Sequence, residues 1–192
     1  ISDFIVTLSV FYAITCKLFL SYDNYFVFII GFAAMISSML QCSYFIFYQV
    51  SFILATGKKT VNRLIEDVTE NDITTQDKWT TFLQRIFMLI YGWQDKLFFV
   101  LDSFLFKKII LSGKSKTEEN RSSAEFSWYQ NKPFLTLASS LSIGTHVFLV
   151  CIAALFDVFE YYFFVNLICM NLLLIFSVIF HYKSTKKQLN KL

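Results

Sequence analysis

Residues 157–180 read DVFEYYFFVNLICMNLLLIFSVIF, a four-residue turn with two acids followed by twenty residues without a charge. At about 1.5 Å of rise per residue, twenty apolar residues match the roughly 30 Å of hydrocarbon in a bilayer. Toward the N-terminus, residues 133–156 form a second apolar run on the other side of that turn. Two more runs, 4–20 and 25–55, are joined by Ser21, Tyr22, Asp23 and Asn24. Both short turns carry acids and no Lys or Arg. By contrast, twelve of the 17 Lys and Arg lie between 58 and 132, and four more follow His181. Basic loops are retained on the cytoplasmic side of a membrane. The pattern therefore predicts an all-α polytopic membrane protein with four transmembrane helices in two hairpins. Both termini and the central region are expected to be cytoplasmic. The boundaries read as a first hairpin over 1–56, a linker over 57–131, a second hairpin over 132–182 and a basic tail over 183–192.

Composition agrees. The chain is 56% hydrophobic and 19% aromatic, with 24 Phe but five Gly and one Pro, so lipid rather than a wholly buried soluble core is the expected solvent for its apolar runs. A net charge of +3 gives no support for nucleic-acid binding; the cations are accounted for by topology and by anionic headgroups. Cys16, Cys42, Cys151 and Cys169 fall inside the apolar runs without pairing or metal-ligand spacing, and read as small buried hydrophobes. Asn120-Arg121-Ser122 has the form of a glycosylation site but lies in the loop assigned to the cytoplasm. Ile1 is not a Met, and the first run is only just long enough to span, so further residues are expected upstream. Richness in Phe, Ile, Lys and Asn suggests a bacterial inner membrane.

Within the linker, Trp79, Phe82, Leu83, Ile86, Ile90, Trp93, Leu97, Val100, Leu101 and Phe104 recur at helical spacing. This predicts an amphipathic helix over 75–111, or two helices with a break near Gly92, with Thr74 or Thr75 as N-cap and Lys107-Lys108 suited to the C-terminal end. Its most apolar window is too short to cross, so the helix is expected in the cytoplasmic interface with its Trp rings among headgroups; a fifth span is the competing reading. Glu66, Asp67, Glu70, Asp72 and Asp77 scatter around a helix or loop and read as a solvated face. Pro133 suits the first turn of the next helix.

Polar residues inside the runs are few. Gln41, Gln49, Asn166 and Asn171 are expected to bond between helices. His146 is a default site residue by its depth, without a second metal ligand near it in sequence, and His181 stands at the membrane edge. Familiar phosphate-loop, zinc-protease, serine-hydrolase and dinucleotide motifs do not occur.

Asp3 stands at the cytoplasmic end of the first run, where a carboxylate can cap a helix, hold a divalent cation or take a proton from an alcohol. Asp3 and the residues after it, Phe-Ile-Val-Thr-Leu-Ser-Val-Phe-Tyr-Ala, resemble the end of the signature of the CDP-alcohol phosphatidyltransferase family. That signature reads D-x-x-D-G-x-x-A-R, eight residues, then G-x-x-x-D-x-x-x-D; its earlier part does not occur in this chain. The resemblance implies the third to sixth spans of a six-span enzyme that moves a phosphatidyl or related group from a CDP-linked donor to an alcohol. It also implies Asp3 as general base and metal ligand beside Mg or Mn held chiefly by earlier acids. Membrane lipids and a second copy through the transmembrane helices are the expected partners. The alternative is a non-catalytic accessory or scaffold protein. A carrier or channel is weaker, because the runs show no paired charges, no Gly- or Pro-broken helix and no inverted repeat.

In a cysteine-free background, single cysteines at Asn24 and Phe159 are expected to react with a membrane-impermeant maleimide from outside, and one at Ser115 only after permeabilisation. The opposite pattern would reverse the orientation.

Overall fold

The computed structural model describes residues 2–57, 78–112 and 126–189. Its elements are helical: α1 (Ser2–Tyr22), α2 (Phe26–Ala55), α3 (Lys78–Ser112), α4 (Lys132–Ala138), a 3-10 turn (Ser139–Leu141), α5 (Ile143–Phe156), α6 (Phe159–Phe164), a π-helical segment (Val165–Met170) and α7 (Asn171–Leu189). Four stretches are long and apolar enough to cross a membrane: Phe4–Tyr22, Phe26–Ala55, Phe126–Phe156 and Phe159–Gln188. Among the described residues the chain is all-α, an integral membrane protein with four such helices, and α3 is not one of them.

The two hairpin turns are built alike. Asp23 and Asp157 adopt left-handed backbone conformations, with φ of 48° and 57°, which Asp tolerates better than most residues. Asp23 N–H returns to the Phe19 carbonyl at 2.8 Å, and Val158 N–H to the Ala153 carbonyl at 2.9 Å, closing each helix in the manner of a left-handed cap. Asn24 Oδ1 then accepts the Phe26 N–H at 2.9 Å and starts α2. Aspartates thus replace the glycines that the composition lacks.

The chain forms two compact units, one of residues 1–42 and 139–176, the other of 43–138 and 177–192. α2 has 30 residues, about 45 Å, more than the hydrocarbon thickness; residues 26–42 belong to the first unit and 43–55 to the second.

In the first unit Lys17, in the C-terminal part of α1, pairs with Asp157 and lies 4.8 Å from the Phe159 ring centroid. This contact brings the two acidic turns to one end of the unit, as the charge pattern requires. Phe19 packs on Tyr25 and Phe28 with centroids 4.9 and 5.4 Å apart, closing the α1–α2 hairpin. Farther along, Gly31 permits close approach: a Cβ placed there would lie 2.1 Å from Thr15 Oγ1. Thr15 is itself held by donating to the Phe11 carbonyl at 2.7 Å. Small residues that let backbones approach are the usual cement of membrane helices.

Several expectations need correction. Of the two readings of the linker, the structure has the single helix, unbroken at Gly92 and running to Ser112; Thr74 and Thr75 lie outside the described residues, as does the acidic run at 66–77. Pro133 does stand in the first turn of α4, where Asn131 Oδ1 accepts the Phe134 N–H at 3.2 Å. The third span is nevertheless interrupted at Ser139–Leu141 and the fourth by the π segment, so helices are broken here by Ser and Asn rather than by Gly or Pro. Cys151 and Cys169 are exposed on the first unit rather than buried, and all four cysteines are free.

Gly31→Val is expected to force α1 away from α2 and cost about 1–3 kcal/mol, read as a lower midpoint of denaturation by SDS in mixed micelles; an unchanged midpoint would contradict the close approach.

Candidate functional site

Each unit contains one buried polar cluster. In the first, three of the four amides named above converge. Asn166 Nδ2 donates to the Ala34 carbonyl at 2.9 Å and to Ser38 Oγ at 3.1 Å. Gln41 Nε2 donates to Ser37 Oγ at 2.8 Å, to the Asn166 carbonyl at 3.2 Å and to Asn171 Oδ1 at 3.1 Å. Asn171 Nδ2 completes the set with Ser37 Oγ at 2.7 Å and the Leu167 carbonyl at 2.9 Å. Gln41 thus reaches a main-chain oxygen inside the π segment, and insertion of a side chain into the ladder is a recognised cause of helix irregularity. Gln49 does not join; it is exposed. His146 is buried in this unit, and neither ring nitrogen has a partner among the described residues.

The second cluster centres on Asp102, a residue that reads in sequence as one of several charges punctuating an interfacial helix. Its side chain is buried, and Oδ1 accepts from Tyr48 OH and Trp128 Nε1, both at 2.8 Å, while Oδ2 accepts from Tyr129 OH at 2.7 Å. Eight residues earlier, buried Gln94 accepts from Ser43 Oγ at 2.6 Å. With Phe98 and Ile109 these residues form the inner stripe of α3, whereas Trp93, Leu97, Val100 and Phe104 face outward. The helix thus buries Gln94 and Asp102 beside Phe98 and Ile109 and exposes large apolar side chains together with Arg85, Lys96, Lys107 and Lys108.

His181 belongs to the same core. It is 1% exposed, against the expectation of an unremarkable edge position. Its ring is stacked between Trp128 and Phe134, each with centroids 3.8 Å away, and Nε2 donates to the Trp128 carbonyl at 2.9 Å. Tyr48 meets it edge-on at 5.0 Å. Ser177, His181 and Thr185 are spaced four apart on α7 and all buried, which places them on one face. Trp128 therefore joins the carboxylate and the imidazole, through its indole N–H and its carbonyl respectively.

Burial pushes the Asp102 carboxyl above its ordinary value of 3.8, against the opposing pull of hydrogen bonds from Tyr129, Trp128 and Tyr48. Desolvation disfavours the charged form more than the three donors favour it. This arrangement is well suited to binding α3 to α2 and to residues 128–129.

Asp3 stands in the first turn of α1, and its side chain lies outside the described residues. Among the described residues no three His, Cys, Asp or Glu side chains come together as a metal site. Lys58, Lys59 and Arg63, whose charge would suit a donor diphosphate, also lie outside the described residues. No family model matches the chain, and no curated protein or solved structure matches it.

Asp102→Leu leaves the Tyr48 hydroxyl and the Trp128 indole without this acceptor and is expected to cost about 2–4 kcal/mol in detergent unfolding, whereas Asp102→Asn should cost much less. Because the folded carboxyl titrates above its unfolded value, its contribution is fully present below about 3.8 and is lost as pH rises through the raised value. Asp102→Asn should remove that part of the pH dependence; a profile identical to that of the parent would contradict the assignment.

Proposed function

We propose that this chain is part of a membrane-embedded lipid head-group transferase of the CDP-alcohol phosphatidyltransferase kind, with Asp3 as its general base. The observation that carries the proposal is the position of the resembling stretch: Asp3 opens α1, and α1 is the first of four helices able to span. Asp3 then stands at the end of α1 opposite Lys17 and the acidic turns, hence on the basic, cytoplasmic side assigned by charge. In this reading the Asp3 carboxylate takes the proton from the acceptor alcohol as its oxygen forms a bond to the donor phosphorus. The bond from phosphorus to CMP breaks, and CMP leaves with the bonding electrons. The reading includes Mg or Mn beside Asp3, which would neutralise charge on the donor diphosphate.

The proposal includes both termini in the cytoplasm of a bacterial inner membrane, lipids as partners and a second copy held through the spans. It also includes α3 lying against the cytoplasmic leaflet, its outward Trp79, Phe82, Trp93 and Phe104 in lipid and its Arg85, Lys96, Lys107 and Lys108 among headgroups. A second reading, an accessory membrane protein without catalysis, is favoured by one observation: the polar atoms of Asp102, Gln41 and Asn171 are engaged mainly by other groups of the same chain.

With the full-length protein in membranes, Asp3→Asn is expected to reduce CMP release from a CDP-linked lipid donor by at least the roughly 100-fold that a positioned base contributes, at unchanged expression. Turnover equal to that of the parent would remove Asp3 from the chemistry.

A further inference from the structure

A groove of about 420 Å³ runs along the first unit from Tyr22 and Glu160 at its mouth, past Leu18 and Ile30, to Leu167 and Ile168. Eight residues separate Glu160 from Ile168, about 12 Å of helix, most of the roughly 15 Å of hydrocarbon in one leaflet. The mouth is at headgroup level by an independent mark: Tyr22, Tyr25 and Tyr161 are 59, 77 and 64% exposed around the two hairpin turns, forming the aromatic belt expected where a span meets the interface. Because α1, α2 and α6 with its π continuation all belong to spans, what lies against their outer faces is lipid.

Charge narrows the choice of lipid. Lys17 is the one Lys or Arg near these turns in sequence, and it is engaged by Asp157. Glu160 is the one charged residue lining the groove, and its side chain is exposed. An anionic headgroup would meet like charge there. A quaternary ammonium offers no N–H, whereas a primary ammonium offers three donors to a carboxylate.

We propose that this groove binds one glycerophospholipid of the outer leaflet with a primary-amine headgroup. One acyl chain lies along Leu18, Ile30 and Leu167, and the ammonium pairs with Glu160. This site is at the opposite end of α1 from Asp3 and does not rest on the transferase reading.

The test is retention of lipid by the purified full chain. Protein equilibrated with vesicles containing equal phosphatidylethanolamine, phosphatidylcholine and phosphatidylglycerol would be examined by native mass spectrometry, together with Glu160→Gln, Ile30→Trp and the nearby acid control Asp23→Asn. The expected result is a preference of roughly fivefold for phosphatidylethanolamine, in line with an exposed ion pair, kept by Asp23→Asn and abolished by Glu160→Gln. Ile30→Trp should lose the retained lipid altogether by filling the groove. Equal retention of the three lipids by the parent chain would overturn the proposal, leaving only non-selective boundary lipid. A preference that survives Glu160→Gln would overturn it as well, and that comparison decides the matter even if Ile30→Trp does not fold.

Discussion

A polar side chain on a helix surrounded by hydrocarbon has no water to return to, so it must find its partners inside the protein. The spanning helices of the first unit meet that constraint, and the second unit likewise buries its polar side chains against partners in the same chain. In the first, Gln41, Asn166 and Asn171 turn toward one another and toward Ser37 and Ser38, while Cys151, Cys169 and several Phe side chains face outward. In the second, Asp102 and Gln94 turn inward on α3 and leave Trp93, Leu97, Val100 and Phe104 on the outside. Along that helix a carboxyl and an amide are buried while four large apolar side chains are exposed.

The two clusters answer the constraint differently. The amide cluster is neutral and reaches main-chain atoms as well as side chains, so it is bound up with the backbone of the π segment. The Asp102 cluster places a titratable group among aromatic donors, with His181 stacked against the same Trp128. Truncating a donor or acceptor in such a cluster leaves its partner exposed to the full desolvation cost. Both clusters are therefore better understood as fastenings between helices than as openings for a substrate, and the chemistry proposed for the chain is placed at Asp3 instead.

Much of the fold could be read in the residues. Run length and the one-sided distribution of Lys and Arg gave the four spans, and the acids at 23, 157 and 160 marked the turns that Lys17 and Asp157 bring together. The amides at 41, 166 and 171 were legible as helix contacts because hydrocarbon leaves them few alternatives. Asp102 and His181 were not legible. Each depends on which face of its helix meets a neighbour, and on α3 the apolar stripe reads as the face turned to the interface, which leaves open what the opposite stripe meets. Along 94, 98, 102 and 109 the spacing is equally helical, and that stripe, with Gln94 and Asp102 in it, is the one buried. The interruptions at Ser139–Leu141 and Val165–Met170 also escaped notice, since neither Gly nor Pro announces them.

What the exposed apolar side chains of α3 meet can be examined directly through the three tryptophans. Trp79 and Trp93 are 72 and 45% exposed, and Trp128 is fully buried. Fluorescence of the intact protein should be recorded in bilayers of brominated phospholipid, beside the variant carrying Trp79→Phe and Trp93→Phe. If the apolar face of α3 lies in lipid, bromine quenches the parent protein strongly and the double variant hardly at all. Quenching of the parent by aqueous iodide, with indifference to brominated acyl chains, would contradict it by placing that face in water.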